Sequence, residues 1–251
     1  MAEDAAAATT ANTMDEEVPV LDLETLKSKV HLLEHPVARH KMTQLRRKET
    51  SSKHFRELMR ELTMYLGYEA TKDLTTKPCV VQTPQAKHTG AELDMDVGLV
   101  PVLRSGLGMV DAMLEILTTA QVLHIGMYKG KNSLVSTLYY NRLPRECTIN
   151  RAIILEPVIA TAGTSSAVVQ ILKEWGVEDI HVMSVVGSRA GLSSLLDAHP
   201  SVKIHIAAID DNLSEDGEII PGIGDVGDRL FDTRDVAAGT IPPSPKRQRK
   251  E

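Results

Sequence analysis

Residues 151–165 read RAIILEPVIATAGTS. Five residues, Arg151 to Leu155, form a short apolar run rich in β-branched side chains, the mark of a buried strand. Glu156-Pro157 ends that run. Small and hydroxyl residues follow, and from Ala167 to Trp175 the apolar positions take helical spacing. A strand that delivers the chain through a small-residue turn into a helix is the unit from which parallel sheets are built.

The same unit recurs on both sides of this stretch. Asp96 to Leu103 (DVGLVPVL) is an apolar run ending at Arg104-Ser105-Gly106, and Met109 to Leu117 then reads helical. Gln121 to Met127, Ile180 to Val186 and Val202 to Ile209 are further strand candidates. Upstream, Phe55, Leu58, Met59, Leu62, Tyr65 and Leu66 follow Thr50-Ser51-Ser52 at helical spacing behind a capping hydroxyl. Strands alternating with helices predict an α/β fold with a mostly parallel sheet covered on both faces. Ligands of such sheets bind at the carboxyl ends of the strands. The polar, Gly-rich segments Arg104–Gly108, Glu156–Thr164 and Pro221–Asp228 all fall there.

Composition narrows the function. The chain has 251 residues, 42% hydrophobic and 25% charged, the balance of a globular protein with a large core. Aromatics make up only 3%, so aliphatic side chains and Met must fill that core. The net charge of −6 argues against general nucleic-acid binding while leaving room for a local cationic pocket. Cys79 and Cys147 lie in no CxxC or Cys/His cluster, so neither a zinc site nor a disulfide framework is expected. No apolar run is long enough to span a membrane. Residues 1–17 and 234–251 carry no packing pattern and are expected to be disordered tails. The basic Pro245–Lys250 run resembles a nuclear localisation signal. A solvated charged end is the other reading, which leaves the cytoplasm as the default compartment.

Four segments carry chemistry. In the first, Thr161, Gly163, Thr164 and Ser165 can surround a phosphate with N–H groups, hydroxyls and a helix N-terminus. An ordinary capped turn fits the same residues. In the second, Arg104 stands between a strand end and two glycines, where its fork can grip a pyrophosphate; a surface Arg beside a turn is the plainer reading. In the third, Ile219 to Arg229 (IIPGIGDVGDR), three glycines and a proline make a tight loop whose exposed backbone can read a heterocycle's edge. Asp225 and Asp228 within it can meet a metal or hydroxyls, or be merely solvated. In the fourth, Gly126 to Pro144, a polar and cationic stretch suits a flap over an anionic substrate, a β-hairpin, or both.

These segments, with His35-Pro36, His40-Lys41, Phe55–Leu58 and Tyr68–Thr71, resemble the uracil phosphoribosyltransferase family over about residues 28 to 233, the PGIGDVGD segment being the most specific. The resemblance implies a type I phosphoribosyltransferase fold, a parallel sheet with flanking helices and a small hood. It implies conversion of uracil and phosphoribosyl pyrophosphate (PRPP) to UMP and pyrophosphate in pyrimidine salvage, with Mg2+ as cofactor. Glu156, Pro157, Val158, Ile159, Ala160, Thr161, Ala162, Gly163 and Thr164 would hold the ribose and 5′-phosphate of PRPP. Arg104 would bind its pyrophosphate, and Lys129 would approach from the flap. Ile219, Gly224, Asp225 and Val226 would recognise uracil, with Asp225 also facing PRPP and its magnesium. Arg104 and Asp225 would be the catalytic pair. The family also implies a homodimer or higher homo-oligomer, and in some members a GTP effector.

The chain departs from the family pattern at several places, Ala162 for a common Gly and Ser136 and Leu138 at the flap's proline positions among them. Glu156 stands for the usual Asp, and Lys129 for an Arg, losing the planar fork. Glu218 stands for a Tyr, and Ser188-Arg189-Ala190 for Ala-Pro-Glu. These changes bear on affinity and turnover rather than on fold. They keep open a second function, a catalytically weak relative that senses nucleotides or binds RNA. The negative charge counts against RNA, and Arg104 with the PGIGDVGD loop counts for catalysis.

Overall fold

The computed structural model describes residues 19–129 and 136–233, and of Lys129 the backbone alone. The expectations for both tails and for the middle of the flap lie outside the described residues. The chain opens with α1 (Leu23–Lys29), β1 (His31–Leu32), α2 (Pro36–Arg46) and α3 (Ser52–Thr71). A hairpin follows, β2 (Thr76–Gln82) and β3 (Lys87–Leu93), then β4 (Val97–Leu103), α4 (Leu107–Ile116), β5 (Gln121–Val122), β6 (Ile125–Lys129) and β7 (Ser136–Asn141). The second half runs β8 (Arg151–Leu155), β9 (Val158–Ile159), α5 (Gly163–Trp175), β10 (Asp179–Ser188) and α6 (Arg189–Ala198). It ends with β11 (Lys203–Asp210), β12 (Asn212–Leu213), β13 (Ile219–Ile220) and α7 (Val226–Phe231).

The central sheet has the order β1-β11-β10-β8-β4-β6-β7, with β5 beside β4 and β9 beside β10. Every pairing in it is parallel except β6 with β7. Successive side chains of one strand face opposite ways, and β8 shows the consequence. Ile153 and Leu155 pack with Phe55, Leu58, Met59 and Leu62 of α3. Ala152 and Ile154 pack with Val168, Val169 and Leu172 of α5 and Leu192 and Leu195 of α6. Two aliphatic cores thus cover the sheet, with Phe55 the sole Phe, Tyr or Trp fully buried among the described residues. This is the mostly parallel, helix-flanked sheet that the alternation of runs predicts.

The caps match the sequence where it carries a signal. Ser51 caps α3, its side chain accepting from the His54 N–H at 3.3 Å. Two boundaries differ from expectation. The run 121–127 is split into β5 and β6, both parallel to β4. Helix α5 begins at Gly163 rather than Ala167, because Ala162 adopts φ +64° and closes the turn early. The β2–β3 hairpin follows no periodicity that marks a buried strand. It pairs only within itself, and Val80 is 68% exposed.

Candidate active site

At the carboxyl end of β8 the chain passes Glu156 and turns through β9 into α5. Gly106 lets the neighbouring Arg104 turn press against this end, since an added Cβ would overlap the Leu155 carbonyl. The N-cap of α5 is Ala162, which makes no side-chain cap hydrogen bond. The first-turn N–H groups of a helix have no intrahelical partner, and a hydroxyl cap normally satisfies one of them. Here the hydroxyl-rich turn is not an ordinary capped one. It leaves the positive end of a thirteen-residue helix open to an acceptor. A cavity of about 240 Å3 lies there, lined by residues 158–165 and by Asp216, Gly217 and Glu218.

A second cavity of about 260 Å3 adjoins it and shares Val158, Ala160, Gly217 and Glu218. Its remaining wall is Ser105, Ile219 and residues 223–227. The loop from Ile219 to Val226 is held tightly. Gly222 and Gly224 take positive φ of +59° and +72°, and the Ile220–Pro221 peptide is cis, as is Leu103–Arg104. Asp225 caps α7, its Oδ1 accepting from the Asp228 N–H at 2.9 Å.

Arg104 bridges these parts. Its side chain is 55% exposed and donates to Asp228 Oδ1 at a long 3.2 Å. It also lines an open recess of about 420 Å3 with Met127, Tyr128, Thr137 and Tyr139 of the β6–β7 hairpin. The flap segment is therefore a hairpin against Arg104. The backbone of Lys129 ends β6, and Ser136 Oγ lies 3.1 Å from Thr164 Oγ1, joining the start of β7 to the α5 turn.

Most of the expected site residues converge. Val158 to Thr164 line the first cavity, and Ile219, Gly224, Asp225 and Val226 the second. Arg104 stands beside both Asp228 and Gly227. Glu156 and Pro157 line neither cavity. Glu156 is buried, with Oε2 lacking a hydrogen-bond partner, and burial pushes its carboxyl up to about 8. A carboxyl in that setting is neutral at pH 7 and acts as a hydroxyl donor or acceptor. Sequence reasoning missed Ser105, Asp216 and Gly217 as wall residues, and noted Glu218 only as a departure from the family pattern. Their polar or Gly character is commonplace, and only the return of the β12–β13 hairpin over the α5 turn brings Gly217 and Glu218 there.

The comparisons with known proteins agree with this geometry. The family model described as uracil phosphoribosyltransferase matches residues 32–233. Uracil phosphoribosyltransferase of Roseiflexus sp. (strain RS-1) is 46% identical over 206 residues, covering 82% of this chain and 99% of that one. That of Dictyoglomus thermophilum is 44% identical over 206 residues, 82% of this chain and 100% of its own. Among solved structures, the AQ2163 protein from Aquifex aeolicus superposes with a TM-score of 0.76 at 30% identity, over 80% of this chain and 97% of that one. A parallel sheet whose carboxyl edge presents these two adjoining cavities is the type I phosphoribosyltransferase fold, and the chain belongs to the uracil phosphoribosyltransferase family.

Proposed function

We propose that this protein transfers the phosphoribosyl group of PRPP to N1 of uracil, making UMP and pyrophosphate in pyrimidine salvage. The observation that carries the reading is the adjacency of an uncapped helix N-terminus and a rigid, backbone-lined loop across one shared wall. A phosphate fits the first and a flat base the second. Their separation by Val158 and Ala160 leaves the ribose between them.

Each part then has a task. The α5 turn holds the 5′-phosphate through N–H groups and hydroxyls of residues 161–165. The Arg104 fork takes the diphosphate, exchanging its long contact to Asp228 for charge-assisted bonds to the leaving group. The loop groups of Ile219, Gly224 and Val226 fix the base so that N1 faces the ribose carbon opposite the departing diphosphate. No covalent nucleophile is needed, so positioning and electrostatics supply the rate. The β6–β7 flap excludes water that would otherwise attack the sugar.

Magnesium fits as a passenger of the substrate. Among the described residues no group of three or more His, Cys, Asp or Glu is arranged to hold a metal alone. Asp225 offers an exposed carboxylate with one oxygen engaged by Asp228. A magnesium ion held by diphosphate oxygens takes only one or two protein carboxylates. When bound, it makes the diphosphate a better leaving group.

A homodimer belongs to the same reading, supported by the β2–β3 arm, which presents Val80, Val81 and Leu93 to solvent. Cytoplasmic placement is the default of the sequence reading, and a GTP effector is carried from the resemblance; no described helix is long and apolar enough to cross a membrane. The test is to mix the protein with PRPP, magnesium and uracil, cytosine, hypoxanthine or orotate. UMP from uracil and no product from the others is expected. Tight ligand binding without product from any base would overturn catalysis.

A further inference from the structure

Asp225 ties the end of the uracil loop to α7, and the Gly222 peptide in its middle is held from behind. Arg46 is the last residue of α2 and Asp210 the last of β11. The Arg46 guanidinium meets the Asp210 carboxylate in a two-pronged pair, Nη1 to Oδ2 and Nη2 to Oδ1, both at 2.7 Å. Nη1 also donates to the Gly222 carbonyl at 2.8 Å, while the Gly222 N–H donates to Asp210 Oδ2 at 2.9 Å. Both backbone polar groups of Gly222 therefore end on one ion pair. Gly222 itself cannot be replaced, since an added Cβ would overlap the Ile219 carbonyl. The next residue is held as well: Arg229 Nη1 donates to the Ile223 carbonyl at 2.7 Å, and its Nη2 to the Arg47 carbonyl at 2.7 Å.

Neither Arg46 nor Asp210 lines the base cavity. Arg46 lines a neighbouring recess of about 350 Å3 together with Gly222, and Ile223, Gly224 and Asp225 line both spaces. We infer that Arg46 and Asp210 are positioning residues for base recognition, setting through the Gly222 peptide where the loop's N–H and C=O groups face uracil. The inference rests on reading that loop as the uracil site. Uracil and cytosine differ in one exocyclic group and one ring proton. A loop that discriminates with backbone groups cannot adjust by changing rotamers, and hydrogen bonds weaken steeply as alignment is lost. The planar fork of Arg is suited to holding two carboxylate oxygens and a carbonyl in one plane, and a Lys ammonium is not.

Arg46→Lys and Asp210→Asn in the full chain test this. Uracil is varied at saturating PRPP, and PRPP at saturating uracil. The expected result is a KM for uracil raised about tenfold to a hundredfold, the loss that follows when buried partners are left unpaired. The KM for PRPP and kcat should stay within about threefold, because the phosphate turn and Arg104 are untouched. A rise of both KM values together, or of neither, overturns the inference. If Asp210→Asn is unfolded at the assay temperature, Arg46→Lys, which keeps the charge, decides by the same split. Calorimetry keeps this test separate from the parent reading, which wild-type turnover of uracil decides. UMP binding about tenfold weaker in Arg46→Lys, with pyrophosphate binding unchanged, supports the brace whatever the turnover; unchanged UMP binding overturns it.

Discussion

The two ends of the central sheet treat charge in opposite ways. At the amino ends of β8, β10 and β11, Arg151 is 4% exposed and is divided between Asp73 and Asp179. Lys203 adds a second bond to Asp73 at 2.9 Å. Burial pushes the Asp73 carboxyl up, but the bonds from Arg151 and Lys203 outweigh it and hold it well below the usual carboxylate range. Beside this cluster, His181 and His205 share a hydrogen bond at 3.1 Å, and His31 stacks on His205. Asp179 Oδ1 comes within 3.2 Å of His181 Nε2 without hydrogen-bond alignment. At the carboxyl ends, Arg104 is half exposed on two long contacts, to Asp228 and Thr233, and the α5 N-terminus has no side-chain cap. Charge at the amino edge is closed on itself and serves stability. At the carboxyl edge the Arg46–Asp210 pair is closed as well, but Arg104 and the α5 N-terminus beside it are left open.

The largest effect should come from breaking the closed edge. Arg151→Met leaves Asp179 without its arginine and Asp73 with Lys203 alone; both carboxylates are more than a third exposed, so solvent screening lowers the loss to about 2–4 kcal/mol. Thermal melts should show a lower midpoint by roughly 4–16 °C at this chain length, while kcat/KM of the protein that remains folded is unchanged. Loss of activity without loss of stability would erase the contrast. The converse variant, Arg104→Gln, should lose about a hundredfold to a thousandfold in kcat/KM, the usual loss when one charge-stabilising donor is removed from a site. Its midpoint should stay close to wild type, because the Arg104 side chain is exposed and Asp228 keeps its bond from the Thr233 hydroxyl.

The smallest effect sharpens the comparison through pH. Burial, then the Arg151 charge, lowers His181 to about 4. Burial, then His181 and His31, lowers His205 to about 3. Native pKa values below the unfolded one mean that stability is present above about pH 6.5 and lost as pH falls toward 4 and 3. Glu156 runs the other way. Its native carboxyl sits at about 8, above its unfolded value, so its contribution is full at low pH and lost as pH rises through 8. Melts from pH 4 to 9 should therefore show Glu156→Gln gaining on wild type toward pH 9. A His181→Gln variant should lose part of the acid decline. Parallel curves for all three proteins would show that these groups are hydrated in solution.

Much of the fold and of the site is legible in the order of the residues. The runs 96–103, 151–155, 180–186 and 202–209 form β4, β8, β10 and β11, because apolar β-branched stretches bounded by Gly and Pro have few other folds open to them. The Arg104 turn, the α5 turn and the PGIGDVGD loop stand out because Gly and Pro cluster only where the backbone must do something unusual. The β2–β3 arm does not stand out. Its apolar residues bury nothing within this chain, so they follow no pattern tied to a core.

Local chemistry belongs to consecutive residues, and so the amino-acid order alone marks which segments carry unusual backbone and polar groups and which strands lead into them. Which charges those segments leave free depends on how the chain packs. Arg46 and Asp210 lie 164 positions apart and Arg104 and Asp228 lie 124 apart. Each looks like any surface charge until the sheet closes. The buried Glu156 is legible as a carboxylate and not as a neutral one, because desolvation depends on every neighbour that packs around it and no single stretch of chain contains them.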